Sequence, residues 1–288
     1  MARHKRRNYT LRLPAAVLLI TLTLVGGRTL LAPGMGAEAP ASTPAPAPAV
    51  TPLPAPTPTP DQGRPQVAPR PTQALPEPAP TPDYDYASPV PEGEAAAEDW
   101  FSDAAFLGDS LTDGLLLYSG IQGADNLSYK GLTVQSARTK AVIQTPAGKV
   151  TALDALGQKS YGKIYVLLGV NELGWYNDQR FYKTYSELVD LIREKQPDAQ
   201  LYLQTLLPVT AEKSAGHAYI NNPKILVYNQ LIAQLAQEKE VYLLDLHAAF
   251  TDETGALPAG DSSDGVHLKR AAYKQWLDHL STHTVQPD

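Results

Sequence analysis

Residues 104–114 of the chain read Ala-Ala-Phe-Leu-Gly-Asp-Ser-Leu-Thr-Asp-Gly. Four apolar residues lead into Gly108, which predicts a short buried strand followed by a tight turn. Ser110 then lies just beyond the end of that strand. In open sheets of parallel strands, ligands bind outside the carboxyl ends of the strands. The stretch therefore predicts an α/β fold that presents a serine at its binding edge.

Strands and helices alternate along the region that follows. Four further segments have the apolar and β-branched character of strands: Asn126–Lys130 (the weakest), Lys163–Leu168, Gln200–Leu207 and Glu240–Leu246. Helical spacing of apolar residues predicts three amphipathic helices, at Asp178–Lys195, Pro223–Lys239 and Leu268–Leu280. Apolar strands that alternate with such helices indicate a parallel sheet covered on both faces.

A histidine near the C-terminus is placed to activate Ser110. A serine hydroxyl is a weak nucleophile and needs a base within hydrogen-bond reach. His267 ends the sequence Asp264-Gly265-Val266-His267, in a turn just before the last predicted helix. Asp264, three residues earlier, can reach the other ring nitrogen and fix its tautomer. The pattern predicts nucleophilic catalysis by Ser110, His267 and Asp264.

Two more groups follow predicted strands and have the right chemistry to assist. Gly131 comes after the weak strand, and Asn171 comes after the strand at Lys163–Leu168. Acyl transfer needs hydrogen-bond donors aimed at the oxygen that becomes negatively charged. We expect this oxyanion hole to consist of the backbone N–H groups of Ser110 and Gly131 and the side-chain amide of Asn171.

Four sequence blocks, in the same order along the chain, resemble those of the SGNH (GDSL) hydrolases: Gly108–Leu111, Gly131, Gly169–Glu172 and Asp264–His267. The resemblance covers about residues 103–280. It implies a three-layer α/β/α fold with a five-stranded parallel, flavodoxin-like sheet. It also implies esterase, lipase or deacetylase chemistry without a metal or other cofactor.

The resemblance has one departure and one weak match. The family's third block often reads Gly-x-Asn-Asp, whereas Glu172 replaces the second acid here. The catalytic amide of Asn171 is kept, so activity is expected to survive. Gly131 is a single glycine with Gly123 nearby, so a neighbour is an alternative source of the oxyanion N–H.

The first 37 residues predict a membrane segment. A basic cluster from Arg3 to Arg7 precedes fifteen uncharged residues, Leu13–Gly27, which predicts the N-terminus inside and the remainder outside. An uncleaved single-pass anchor and a cleaved signal peptide both stay open. Ala37-Glu38-Ala39 has the pattern of a cleavage site, but Pro40 is a poor residue after the cut. The chain is expected either at the cell membrane or secreted.

A proline-rich spacer follows this segment. Of the 26 prolines in the chain, 18 lie between Pro40 and Pro91, a density that blocks helix and sheet and favours polyproline II. The sequence thus divides into the membrane segment at 1–37, a disordered spacer at 38–98 and a catalytic domain at 99–288.

Composition excludes several classes of function. The chain has no cysteine, which removes disulfides, thiolate catalysis and Cys-ligated metal sites. Six of the 24 basic residues precede residue 29, which leaves 18 against 30 acidic residues in the remainder. An acidic domain does not suit a phosphate backbone, so no nucleic-acid partner is expected.

Residues beside the predicted catalytic groups are candidates for substrate binding: Asp109, Glu172, Trp175, Tyr176 and His217. The aromatic pair after Asn171 can stack on a sugar ring. No segment predicts a long apolar groove, which favours a short acyl group over a long-chain lipid. Together with the outward topology, these features predict an esterase that removes small acyl groups, notably acetyl, from an extracytoplasmic glycan.

Two other functions use the same residues. An O-acyltransferase would pass the acyl group to a sugar hydroxyl and would need a partner protein as acyl donor. A catalytically inactive glycan-binding module is the third alternative. Two further patterns are weak: Ser160–Lys163 spells Ser-x-x-Lys but precedes a strand and lacks its partner motifs, and His279 with His283 has no third ligand for a metal.

Overall fold

Five parallel strands form the central sheet. The structure, a computed structural model, describes residues 84–286; the predicted membrane segment and residues 38–83 of the predicted spacer lie outside this range. The strands are β1 Ala104–Gly108, β2 Asp125–Ser128, β3 Ile143–Thr145, β4 Gly148–Val150, β5 Lys163–Leu167, β6 Gln200–Gln204 and β7 Tyr242–Leu244. Strands β3 and β4 form a separate antiparallel hairpin. The others pair in the order β2-β1-β5-β6-β7, which confirms the predicted flavodoxin-like sheet.

Helices flank this sheet. They are α1 Ser110–Tyr118, α2 Ala152–Leu156, α3 Asp178–Lys195, α4 Ala211–Gly216, α5 Asn222–Lys239, α6 Leu246–Phe250 and α7 Arg270–Thr282. Helix α1 packs against α7, and α3 packs against α5. The three predicted helices are confirmed within two residues at each end. Within residues 84–286, none of the helices is both long and apolar enough to cross a bilayer.

Two predicted strands are shorter than the sequence indicated, for identifiable reasons. After β6 ends at Gln204, the side chain of Asn229 bonds both backbone groups of Leu206, accepting from its N–H at 2.7 Å and donating to its C=O at 3.0 Å. The side-chain amide of Asn229 on α5 thus makes the two backbone hydrogen bonds that a neighbouring strand would otherwise make. Before β7, Glu240 has a left-handed backbone (φ 49°) and ends α5, so pairing begins only at Tyr242.

An aromatic ladder locks the register of the sheet on one face. Phe106, Tyr165, Tyr202 and Tyr242 are register partners on four consecutive strands. Successive ring centroids lie 4.6, 4.7 and 5.0 Å apart, and the first two pairs are stacked with interplanar angles of 9°. A one-residue slip of any strand would move its ring to the opposite face. The ladder therefore ties the alignment of the strands to core packing.

The folded part begins before the predicted boundary at residue 99. Val90 is buried and donates its N–H to the carbonyl of Leu243 at 2.8 Å, which covers the open edge of β7. Gly93 and Ala96 donate to carbonyls at the end of α7, at 2.7 and 2.8 Å. Tyr84 packs edge-on against Tyr242. Residues 84–98, which the sequence assigned to the spacer, thus pack as a strap because an uncovered sheet edge has unpaired backbone groups.

A fragment that begins at Asp99 is expected to be less stable than one that begins at Tyr84. It loses three backbone hydrogen bonds, worth about 1 kcal/mol each, and the burial of Val90, worth about 2 kcal/mol. The total is on the order of 5 kcal/mol, or roughly 10–20 °C in Tm for a domain of this size. Thermal unfolding followed by circular dichroism measures the difference.

Two variants of the longer fragment serve as controls for this comparison. Val90→Ala should reproduce part of the loss, and substitution of the exposed Glu92 by Ala should not change Tm. Equal Tm values for the two fragments would show that the strap contributes nothing.

Candidate active site

The register of the sheet sets the position of the candidate site. Gly108, the last residue of β1, pairs with Ser128 on one side and Leu167 on the other. The segments that lead to Ser110, Gly131 and Asn171 therefore leave the sheet from the same level. A Cβ at Gly108 would lie 2.0 Å from Thr112 Oγ1 and 2.8 Å from the carbonyl oxygen of Leu167. Only glycine lets the chain turn here directly from β1 into α1.

Ser110 is the first residue of α1, a helix that the sequence analysis did not predict. Asp109 caps it: its Oδ1 accepts a hydrogen bond from the Leu111 N–H at 2.9 Å. N–H groups in the first turn of a helix have no partner within the helix. The Ser110 N–H is therefore suited to stabilise a negative oxygen beside the serine hydroxyl, as the sequence predicts.

The structure brings Ser110, His267 and Asp264 together in a hydrogen-bonded chain. Ser110 Oγ lies 2.9 Å from His267 Nε2, and His267 Nδ1 lies 2.7 Å from Asp264 Oδ2. A carboxylate can only accept, so Nδ1 carries the proton of the neutral ring. Nε2 is then free to accept the proton of the serine hydroxyl. This is the arrangement that the sequence predicts for a nucleophile, its base and an orienting acid.

A tight turn holds the acid and the base in place. Asp264 Oδ1 accepts from the backbone N–H groups of Val266 and His267, at 2.9 and 2.8 Å. Gly265 has φ of 89°, a conformation that favours glycine. Partial burial acts to raise the pKa of Asp264, but the hydrogen bonds from His267 and Val266 outweigh it and lower the pKa to about 2. The carboxylate thus stays charged over the whole range in which a histidine titrates.

Asn171 connects three segments of the site. Its Nδ2 lies 3.1 Å from Asp109 Oδ2 and 3.0 Å from the carbonyl oxygen of Leu132. Gly131 lies in the turn just before Leu132, with φ of 75°. Gly123, the alternative from the sequence, precedes β2 and packs near Ser102 at the other end of the strand. Asn171 and Gly131 therefore share the edge of the sheet that carries Ser110.

Two of the predicted substrate-binding residues face inward. Asp109 and Glu172 are 1% and 0% exposed. Glu172 Oε1 accepts the N–H of Val134 at 2.5 Å, which pins the loop that carries Gly131. Burial, partly offset by hydrogen bonds from Leu111 and Val134 respectively, raises the pKa of Asp109 to about 7 and the pKa of Glu172 to about 8. Their positions suit them to shape the site from behind rather than to contact a substrate.

The remaining candidates lie farther out. Trp175 is half-buried beneath the guanidinium of Arg180, 4.7 Å from its ring centroid, and lines a separate cleft with Tyr219. Tyr176 is fully exposed. His217 packs edge-on against Tyr219, and its Nδ1 accepts the N–H of Ile220 at 3.0 Å. Of the three, only His217 lines a cleft that also contains a catalytic candidate.

Two open clefts meet at Asp264. One, of about 590 Å³, contains the nucleophile and base and is lined by Ser110, Asp113, Gly114, Leu117, Tyr118, Lys130, Ser263, Asp264, His267, Leu268, Arg270 and Tyr273. The other, of about 470 Å³, contains His217 and Lys213 and shares Ser263 and Asp264 with the first. The sequence analysis did not single out Lys130, Tyr118 or Arg270. Their spacing carries no motif. The packing of α1 against α7 brings Tyr118 and Arg270 together, and Lys130 reaches the same cleft from the loop after β2.

The GDSL-like Lipase/Acylhydrolase family matches residues 106–275, which is more than half of the chain. This protein belongs to the GDSL-like lipase/acylhydrolase family. The family consists of ester-hydrolysing enzymes, so the prediction of an enzyme that acts on ester bonds is confirmed. The resemblance to SGNH (GDSL) hydrolases that the sequence blocks indicated is confirmed as well.

Three solved structures are similar to this acylhydrolase. A protein of Streptococcus pneumoniae named after platelet activating factor is 23% identical, with a TM-score of 0.50 over 62% of this chain and 81% of that one. A G-D-S-L family lipolytic protein of Desulfitobacterium hafniense DCB-2 is 18% identical (TM-score 0.49, 63% and 98%). A GDSL-like lipase of Parabacteroides merdae ATCC 43184 is 17% identical (TM-score 0.49, 67% and 96%). A search of curated proteins finds no match.

The two weak patterns in the sequence, Ser-x-x-Lys and the pair of histidines near the C-terminus, make other contacts in this acylhydrolase. Lys163, of the Ser-x-x-Lys pattern, opens β5 and pairs with Asp103 Oδ1 at 2.6 Å. The rings of His279 and His283 stack at 3.8 Å on the last helix. Within residues 84–286, no group of three or more His, Cys, Asp or Glu side chains is arranged to hold a metal ion.

The contribution of two buried carboxyls to the stability of the acylhydrolase is expected to fall as pH rises from about 4 to about 8, whereas His279, whose pKa is lowered by burial to about 4, contributes in the opposite direction up to about pH 6.5. The pKa of Asp109 and the pKa of Glu172 are raised in the folded state, so the folded form binds these protons more tightly than the unfolded chain. The stabilisation from these two carboxyls is complete below their pKa in the unfolded chain. It is lost as pH rises past their pKa in the folded state. Glu172→Gln removes one of the two groups and should flatten the decline.

Thermal unfolding at pH 5, 6, 7 and 8 measures this effect. The Tm of Glu172→Gln should exceed that of the wild type by more at pH 8 than at pH 5. Glu194→Gln, on the exposed face of α3, is the matched control and should follow the wild-type profile. Parallel profiles for wild type and Glu172→Gln would show that this carboxyl is not protonated in the folded state.

Proposed function

We propose that this acylhydrolase is a serine esterase that removes short acyl groups, notably acetyl, from hydroxyls of an extracytoplasmic glycan. The observation that carries the proposal is the chain of hydrogen bonds from Asp264 through His267 to Ser110, at 2.7 and 2.9 Å. A serine in this arrangement loses its proton to the histidine as it attacks a carbonyl carbon.

In the acylation step, Ser110 Oγ forms a bond to the ester carbonyl carbon while its proton passes to His267 Nε2. The carbonyl oxygen takes the negative charge and is met by the Ser110 and Gly131 N–H groups and by the Asn171 amide, which must turn one N–H from Asp109 or the Leu132 carbonyl towards it. When the tetrahedral intermediate collapses, the bond from carbon to the alcohol oxygen breaks. The imidazolium returns its proton to that oxygen, so the alcohol leaves neutral and the acyl group stays on Ser110.

In the deacylation step, water takes the place of the alcohol. His267 accepts a proton from the water as its oxygen bonds to the acyl carbon. Collapse of the second intermediate breaks the bond to Ser110 Oγ, which regains its proton from the imidazolium. The charged Asp264 carboxylate stabilises the imidazolium in both steps. The products are the free carboxylic acid and the unchanged enzyme.

A small cavity beside the catalytic residues supports a short acyl group. Its volume is about 10 Å³, close to the space that one water molecule occupies. Its lining is mostly apolar: Asp109, Leu111, Leu167, Val170, Leu206, Leu207, Pro208, Val209 and Val266. Four of these residues adjoin Ser110, Asn171 or His267 in sequence. A space of this size leaves no room for an acyl chain longer than acetyl.

The clefts support a large polar alcohol. Both are open to solvent and lined by a mixture of polar and apolar groups, unlike the enclosed apolar tunnel that a lipid chain needs. Because they meet at Asp264, an extended chain can pass the nucleophile with residues bound on both sides. Tyr118 provides an aromatic face of the kind on which sugars stack.

An extracytoplasmic location is part of the proposal and rests on the sequence before residue 84. The basic cluster, the apolar run and the proline-rich spacer occur in the order expected for a domain held outside a membrane. Fractionation of cells that express the whole chain tests it. Recovery of the protein in the cytosol would contradict this part of the proposal.

Ser110→Ala is expected to abolish hydrolysis of p-nitrophenyl acetate by the Tyr84–Asp288 fragment, with kcat falling by at least about 1,000-fold because the nucleophile is lost. Ser88→Ala, on the strap and outside the clefts, is the control serine and should retain activity. An active Ser110→Ala variant would refute the assignment. When a sugar acceptor is added to the same assay, formation of an acylated sugar in place of free acetate would favour transfer over hydrolysis.

Val266→Ala is expected to shift the chain-length preference from acetate towards butyrate, because Val266 lines the small cavity and truncation enlarges it. The ratio of kcat/KM for p-nitrophenyl butyrate and acetate should rise about tenfold, since each methylene that gains an apolar site contributes about 0.8 kcal/mol. A shift produced by Leu117→Ala instead would place the acyl group in the open cleft and contradict the assignment.

A further inference from the structure

Two basic residues border the cleft that contains the nucleophile. Lys130 immediately precedes Gly131, and Arg270 is three residues beyond His267, at the start of α7. Both are exposed and both line the cleft. Their positions place one positive charge beside the predicted oxyanion loop and one beside the turn that holds the base.

Neither cation has an acidic partner within residues 84–286. Five other basic residues do form ion pairs with Asp or Glu at 2.5–2.7 Å: Arg138, Lys159, Lys163, Lys224 and Lys239. Arg270 instead lies 5.6 Å from the ring centroid of Tyr118, a contact that holds it along the cleft wall. Other basic residues within 84–286 also lack an acidic partner, so what distinguishes Lys130 and Arg270 is that both line the cleft that contains Ser110.

The acidic residues of the same cleft are engaged by other groups. Asp264 accepts the His267 ring and two backbone N–H groups. Asp113 Oδ1 accepts the side-chain amide of Asn126 at 3.1 Å. Asp113 still carries its charge in the cleft and opposes an anion, so its removal should act in the opposite direction to removal of the cations. Removal of either cation should therefore weaken the preference for an anionic substrate, and removal of Asp113 should strengthen it.

We propose that Lys130 and Arg270 select esters whose alcohol portion carries an anionic group, a carboxylate or a phosphate. This inference rests on the proposed function and narrows its substrate class to an acidic glycan. The acyl group is not the anion, because the small cavity beside Val170 and Val266 is apolar. The alcohol therefore occupies the open cleft, where both cations meet it. Exposed ion pairs of this kind contribute a few-fold each to binding.

A matched pair of small esters tests the charge preference. 4-Acetoxybenzoate carries a carboxylate, and methyl 4-acetoxybenzoate is its neutral counterpart with the same acyl group. The quantity measured is the ratio of kcat/KM for the charged and the neutral ester. Within each variant, the neutral ester corrects for changes in the catalytic groups.

The expected changes in this ratio differ in sign among the variants. It should fall about threefold in Lys130→Gln and in Arg270→Gln, and about tenfold in the double variant. It should rise about twofold in Asp113→Asn, and it should fall in the wild type as salt increases from 0.05 to 0.5 M. Lys195→Gln, at the end of α3 that leads to the start of β6, is the charge-matched control and should leave the ratio unchanged.

Further substrates distinguish a carboxylate from a phosphate. Acetylated oligogalacturonate should be deacetylated faster than acetylated xylo-oligosaccharide if the anion is a carboxylate, and 4-acetoxyphenyl phosphate should surpass both small esters if it is a phosphate. A ratio that is the same in the wild type and the double variant would overturn the proposal. That result would leave the esterase assignment intact, because hydrolysis of the neutral ester depends on Ser110, His267 and Asp264 and not on the two cations.

A binding measurement decides the proposal even if neither ester is hydrolysed. Calorimetric titration of Ser110→Ala with 4-hydroxybenzoate and with methyl 4-hydroxybenzoate compares the two alcohol products directly. Tighter binding of the carboxylate, lost when Lys130 and Arg270 are also replaced by Gln, would support the proposal. Equal binding of the two compounds would overturn it, whereas absence of hydrolysis would count only against the proposed function.

Discussion

The alignment of β1 between β2 and β5 is the constraint on which the site depends. Because Gly108 pairs with both Ser128 and Leu167, three loops leave the sheet at one level and can meet. The aromatic ladder that begins with Phe106 on one face maintains this alignment through core packing. A slip of one residue would move an aromatic ring to the opposite face and separate Ser110 from Asn171, so the free energy that fixes the register also fixes the chemistry.

Two buried carboxyl groups also hold the loops of the site in place. Asp109 caps α1 and contacts Asn171, whereas Glu172 holds the backbone at Val134. Both lie behind the residues that face the cleft, and burial raises the pKa of each. A protonated acid can donate as well as accept, which suits a position between neighbouring loops. The longer side chain of Glu172, where the family often has Asp, reaches the loop after β2 and links it to the loop after β5.

Much of the candidate site could be predicted because its residues follow strand ends or lie within a few positions of one another. Asp264 and His267 are separated by one turn, so local geometry alone brings the carboxylate to the ring. The same reasoning does not reveal that Asp109 and Glu172 are buried or that Trp175 lines a separate cleft. Proximity in sequence to a catalytic residue does not say whether a side chain points to solvent or to the core. The strap also escaped prediction because its proline-rich composition resembles the spacer, although Val90 is buried against β7.

The sequence by itself determined the family and the main alternation of strands and helices, and it predicts Ser110, His267 and Asp264 as nucleophile, base and acid. Those features depend on periodicity and on motifs of a few residues, which are local properties of the chain. Only the tertiary structure decided which residues line the clefts, because Lys130 and Arg270 are 140 positions apart and reach one cleft from different elements, the loop after β2 and the start of α7. It also decided which acids are buried and where β6 ends, since both depend on side chains that distant elements bring into contact.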